Sequence, residues 1–175
     1  GRIDILINNA GTSATGEFES VTDKDWQADF DLKLFAAIRL SRLAIPEMRK
    51  HKWGRIINVT NIGAKQPKAK SMPTTVTRAA GLAMTKALSK EFAADNILVN
   101  SVCIGLIRAG QHERKAAKAG IHVEELYEKQ GKEVPLGRVG RAEEVANVVA
   151  FFSSEASSYV TGSSVNLDGG TSAVM

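Results

Sequence analysis

Thr74-Thr75-Val76-Thr77-Arg78-Ala79-Ala80-Gly81 opens a segment in which Val76, Ala79, Ala80, Ala83, Met84, Ala87, Leu88 and Phe92 recur at helical spacing. That stripe predicts a helix from about Thr75 to Ala94, ending at Asp95-Asn96. Upstream lies Gly54-Arg55-Ile56-Ile57-Asn58-Val59-Thr60-Asn61, and downstream Ile97-Leu98-Val99-Asn100-Ser101-Val102-Cys103-Ile104-Gly105. These flanks predict strands over Arg55–Val59 and Leu98–Cys103. Strand, helix and strand in that order build a parallel sheet.

Working outward, Ile3-Asp4-Ile5-Leu6-Ile7 is a nearly all-apolar run, expected to be a strand buried on both faces of such a sheet. Asn8-Asn9-Ala10-Gly11 then signals a turn. Thr22 or Asp23 caps a helix carrying Trp26, Phe30, Leu34, Ala37 and Ile38, which runs on toward Pro46, where a bend or interruption is expected. Gly105 to Gly120 reads as a loop opening into a polar helix, Val123–Lys132 and Ala142–Ser153 as further helices, and Val165–Leu167 as a last strand. The alternation predicts an α/β fold with a doubly wound parallel sheet.

The 175 residues amount to one domain, and the net charge of +4 is scattered rather than gathered into a stripe. Neither a basic face nor a nucleic-acid motif is present, so no nucleic-acid partner is expected. Lys65, Lys68 and Lys70 form the one local cluster, either a solvated loop or a lure for an anionic substrate. Cys103 is the single cysteine, which excludes an internal disulfide and reads as a buried thiol of a reducing compartment. With no apolar run long enough to cross a bilayer, a cytoplasmic protein without a membrane partner is expected.

The order and spacing of Asn8-Asn9-Ala10-Gly11, Trp26, Pro46-Glu47-Met48, Pro135-Leu136-Gly137-Arg138, Glu143-Glu144-Val145, Thr161-Gly162 and Asp168-Gly169-Gly170 resemble the short-chain dehydrogenase/reductase family along essentially the whole chain. The resemblance implies a Rossmann-like fold that uses NAD or NADP. It also implies that Ile3–Ile7 is the family's fourth strand, so that residues 1–175 are the carboxyl-terminal two-thirds of a single domain, lacking its first strands. No Gly-x-Gly-x-x-Gly turn for a pyrophosphate occurs in these residues. Weak or absent cofactor binding is therefore expected of them alone.

The family's catalytic set is Asn, Ser, Tyr and Lys. The matching positions here hold Lys33, Asn61, Thr74 and Arg78, with Thr60 one residue before the Ser position. A tyrosine beside a lysine has its phenol pKa drawn from about 10 toward neutrality, whereas a threonine hydroxyl has no comparable acidity. Arg78 stays charged and keeps the means to grip ribose hydroxyls, though as a planar fork. Asn61 retains a donor for a carbonyl oxygen. The resemblance also implies cofactor contacts from Asn8, Ala10, Gly11, Thr60, Arg78, Gly105 and Ile107, the last two in a loop that has lost the family's proline and threonine. It puts Gln111 and His112 in the substrate lid, where His112 is either an acid/base or an exposed helix start. Lys33 is either a base depressed by burial or a structural cation.

Two functions follow as expectations. One is an atypical NAD(P)-linked oxidoreductase of a small carbonyl or alcohol with a degenerate catalytic set. The other is a catalytically silent nucleotide- or metabolite-binding member acting as a scaffold or regulatory subunit; a third, less favoured, is a lyase- or isomerase-type reaction without net hydride transfer. No metal site is expected. Phe35, Leu40 and Leu43 lie off the first helical stripe and suggest a second buried face, hence a homodimer or homotetramer.

Overall fold

The structure is a computed structural model describing residues 1–175. Its main sheet contains β1 (Ile5–Asn8), β3 (Gly54–Asn61), β5 (Ile97–Ile104) and β6 (Ser164–Leu167), in the order β1-β3-β5-β6, with all neighbours parallel. Between them run α1 (Asp23–Phe30), α2 (Ala36–His51), α3 (Thr74–Phe92), α4 (Gly110–Ala119), α5 (Val123–Gly131) and α6 (Ala142–Ser153). A minor antiparallel pair, β2 (Thr15–Gly16) and β4 (Met72–Pro73), fastens the loop after β1 to the start of α3.

Each face of the sheet has its own core. On one, Leu6, Ile56, Ile97 and Val99 pack against Ala44, Ile45 and Met48 of α2 and Phe92 of α3. On the other, Ile57 and Val102 pack against Phe152 of α6, with Val148, Val149 and Leu167 around them. Helices on both faces of a parallel sheet make the doubly wound α/β arrangement that the sequence pattern predicts.

Three local features depart from expectation. Pro46 does not interrupt its helix, which continues to His51. The ring is exposed, so water can take the carbonyl that a missing N–H leaves free. Between α1 and α2 the chain widens into a π-helical turn, Asp31–Phe35, that carries Lys33. And β1 is the edge of this sheet: Leu6 is buried, but Ile5 and Ile7 are 41% and 45% exposed. The starts of α1 and α6 are firmer: Thr22 and Asp25 close a reciprocal capping box, and Glu144 bonds the Arg141 N–H.

Candidate active site

The parallel strands end together, and their carboxyl ends carry the loops that form the site. At the end of β3, Thr60 and Asn61 point to opposite faces, as period two requires. Thr60 is buried and donates to Cys103 Sγ at 3.3 Å, on its register partner in β5, so its hydroxyl is used within the sheet. Asn61 lines a cavity of about 360 Å³ together with Thr74, Thr75, Gly105 and Lys68. Its side chain makes no hydrogen bond, and its buried Oδ1 has no partner.

Thr74, at the first residue of α3, is differently placed. Its Oγ1 donates to Ala14 O at 2.7 Å and accepts from Ala14 N at 3.0 Å and Lys33 Nζ at 2.8 Å. Behind it Lys33 is ion-paired with Asp29, and Thr77 donates to the other Asp29 oxygen at 2.7 Å. Both charged side chains are 1% exposed. Burial pushes the Lys33 ammonium below the usual lysine range, against the hydrogen bond and charge of Asp29. Asp29 was missed by sequence reasoning, although it stands four residues before Lys33, the spacing that sets two side chains on one helix face.

Arg78, one turn further along α3, donates from Nη1 to Val59 O at 2.7 Å, and its Nε is buried without a partner. Burial lowers its pKa, against the attraction of Asp29. Gly11 lies directly over the guanidinium: a β-carbon there would come within 2.5 Å of Arg78 Nη2. A side chain at this position would push the guanidinium out of its present place. Asn8 instead turns into the sheet, donating to Asn58 at 2.8 Å, and that side chain donates on to Thr85 at 2.8 Å. Ala10 precedes Gly11 in the exposed loop after β1.

Gln111 and His112 are not brought to Asn61. They line a second, more apolar cavity of about 420 Å³ on the α6 side, with Ile7, Val59, Val145 and Val149. Gly105 borders both cavities, and Ile107 borders the second. Burial, with Lys115 nearby, pushes the His112 imidazole below its usual pKa, and its buried Nδ1 is unpartnered. The structure thus gathers Asn61, Thr74 and, beneath Thr74, Lys33 into one locus, and puts His112 elsewhere. No group of acidic, histidine or cysteine side chains has the arrangement of a metal site. No helix is long and apolar enough to cross a membrane.

A family model described as Enoyl-(Acyl carrier protein) reductase matches residues 1–172. The chain is 34% identical over 168 residues to the 3-oxoacyl-[acyl-carrier-protein] reductase FabG of Aquifex aeolicus, an overlap of 96% of this chain and 65% of that one. It spans just under two thirds of the FabG proteins it matches, 65% in Aquifex aeolicus and 66% in Thermotoga maritima. The crystal structure of YwfH, an NADPH dependent reductase involved in bacilysin biosynthesis, superposes with a TM-score of 0.90 at 32% identity, over 99% of this chain and 68% of that one. Ligand-free aldohexose dehydrogenase of Thermoplasma acidophilum gives a TM-score of 0.90 at 27% identity, over 99% and 71%. The parallel sheet order agrees with a family match and structural likenesses that run the length of the chain: it belongs to the short-chain dehydrogenase/reductase family of oxidoreductases.

Proposed function

We propose that the full-length protein is an NAD(P)-linked oxidoreductase of a small carbonyl or alcohol, in which Asn61 holds the substrate oxygen and no side chain replaces the family's tyrosine. The observation that carries this reading is Asn61 itself, unpartnered on a cavity at the carboxyl ends of the strands. Its Oδ1 can only accept, so the group that would meet a carbonyl oxygen is the amide NH2, which makes no hydrogen bond within the protein and would stabilise the charge that develops there during reduction. Arg78 beneath Gly11 would hold the ribose of a nicotinamide nucleotide through Nη2, which lies against Gly11 and makes no hydrogen bond within the protein, while Nη1 is held by Val59 O. That nucleotide supplies or receives the hydride when bound. The names of the relatives, reductases and dehydrogenases, support the same reaction class.

Residues 1–175 are read as the carboxyl-terminal two-thirds of one Rossmann-like domain. Because they contain no glycine-rich phosphate turn, alone they should bind NAD(H) or NADP(H) weakly or not at all. The full-length protein is expected to reduce aldehydes, ketones and keto-esters at least roughly 100-fold slower than a relative with the Tyr and Lys in place, the usual cost of a missing general acid. Steady-state assays across those substrates test it, and an ordinary rate would overturn it. The saturated hydroxyl of Thr74 favours a second reading, a silent member that binds nucleotide or metabolite. Nucleotide binding by the full-length protein with no oxidation of NAD(P)H by any carbonyl would select that one.

A further inference from the structure

The cavity above Asn61 has a chemistry of its own. Its apolar lining is only Ile62, Ile104 and Leu106. Of the polar side chains around it, several are already occupied: Ser71 and Thr75 bond each other at 3.0 Å, Gln66 accepts from Ala173 N at 2.8 Å, and Thr171 donates to Asp168 O at 2.7 Å. Five others have no partner in the protein, namely Asn61, Ser13, Thr15, Lys68 and Glu133.

Lys68 is the decisive one. Its two neighbours in the sequence cluster are engaged. Lys65 Nζ donates to Ser164 O at 2.6 Å and Asn166 Oδ1 at 2.7 Å, and Lys70 is ion-paired with Glu17 at 2.5 Å. Lys68 alone stands free, exposed at the cavity, and no ion pair joins it to Glu133 although both line the same space. An unpaired ammonium recognises a carboxylate, while an unpaired carboxylate and neutral side-chain oxygens recognise hydroxyl groups. An acyl chain would find three apolar side chains and would strip water from five unpartnered polar groups, which costs free energy at each.

We propose that this cavity takes a small hydroxylated carboxylate, with its carboxylate on Lys68 and its hydroxyls on Asn61, Ser13, Thr15 and Glu133, rather than an acyl thioester. The inference names the substrate class of the site proposed above and rests on that reading for the reaction, but not for the binding. A volume near 360 Å³ suits a molecule of a few carbons.

The test is calorimetric binding to the full-length protein, with glycerate and gluconate as probes, glycerol and sorbitol as their neutral counterparts, and acetoacetyl-CoA as the thioester. Glycerate or gluconate is expected to bind at least about tenfold tighter than its neutral counterpart, the size of one hydrogen bond to a charged group. Lys68→Met should remove that preference while leaving the neutral probe unchanged, and Lys68→Arg should restore most of it. Lys68 is exposed, so neither change threatens folding. Equal binding of charged and neutral probes, or an undiminished preference in Lys68→Met, overturns the inference. Turnover of acetoacetyl-CoA without binding of either hydroxy acid also overturns it and leaves the proposed oxidoreductase standing. Lys68-dependent binding without any NAD(P)H turnover upholds the ligand class and removes the proposed reaction.

Discussion

A hydroxyl that donates once and accepts twice has nothing left for a substrate, and that is the state of Thr74. Lys33, which the sequence left between a base and a structural cation, sits in that same closed set with Asp29 and Thr77, and the geometry supports the structural role. A buried pair of this kind contributes little beyond an apolar core, but half of it is costly. Asp29→Asn should therefore lose about 3–5 kcal/mol in denaturant unfolding, whereas Asp29→Leu with Lys33→Met should lose clearly less. Equal losses would mean that the pair is not what holds the π-helical turn against α3. The sign with pH is fixed as well. Lys33 is depressed in the folded state, so the unfolded chain binds more protons over the interval between the two values, and its contribution to stability rises as pH increases through the folded value toward the ordinary lysine range. The strand that ends at Asn61 and the helix that starts at Thr74 were legible in the sequence, because an apolar run marks the one and an apolar stripe the other. The closed set was not, because it joins residues 29, 33, 74 and 77 through a tertiary contact.

Among the elements, α6 was predicted with the bounds it has, Ala142–Ser153, because acidic residues follow its start and an apolar stripe fills it. The π-helical turn was not legible, since one extra residue in a turn leaves the apolar pattern almost unchanged. Nor were β2 and β4, whose two residues each are too short for any period. The start of α6 supports a prediction with a defined pH window. Arg138 grips Glu144 with two hydrogen bonds of 2.6 and 2.8 Å, and the Arg141 N–H donates to it at 2.7 Å. Together, Arg138 first, they push its carboxyl down from about 4.5 to about 2. A carboxyl depressed by folding adds stability above its unfolded value and loses it as pH falls through the folded one. The gap in unfolding midpoint between the wild type and Glu144→Gln should accordingly narrow from pH 4.5 to 2. A gap that is constant over that range would detach the pair from the stability of α6.

For the whole molecule, the decisive question is which apolar faces residues 1–175 leave uncovered. β1 is a short edge strand whose Ile5 and Ile7 are exposed, and an uncovered apolar edge invites pairing. The helices present a second face. Ala37 is buried under the sheet, while Phe35, Leu40 and Leu43, which the sequence set apart from the inward stripe, are 37%, 48% and 73% exposed. Leu32 on the π-helical turn and Val76 on α3 are exposed too, at 39% and 41%. Beside Val76, the small residues Ala79, Ala80 and Gly81 let another backbone come close. A helix with apolar residues on a face its own sheet does not use has a partner to find, and two-fold pairing of like helices covers such a face on both copies at once. The full-length protein is thus expected to be a homo-oligomer, most simply a tetramer with two kinds of two-fold interface. Leu40→Glu with Leu43→Glu should break the helical one, because each charge would have to be buried against its own copy across the two-fold axis. Light scattering at micromolar concentration should show the assembly reduced to dimers or monomers in that variant, with its circular dichroism unchanged. A wild-type monomer would leave the exposed leucines without a purpose and would remove the scaffold reading in its simplest form, since a silent subunit acts only through what it assembles with.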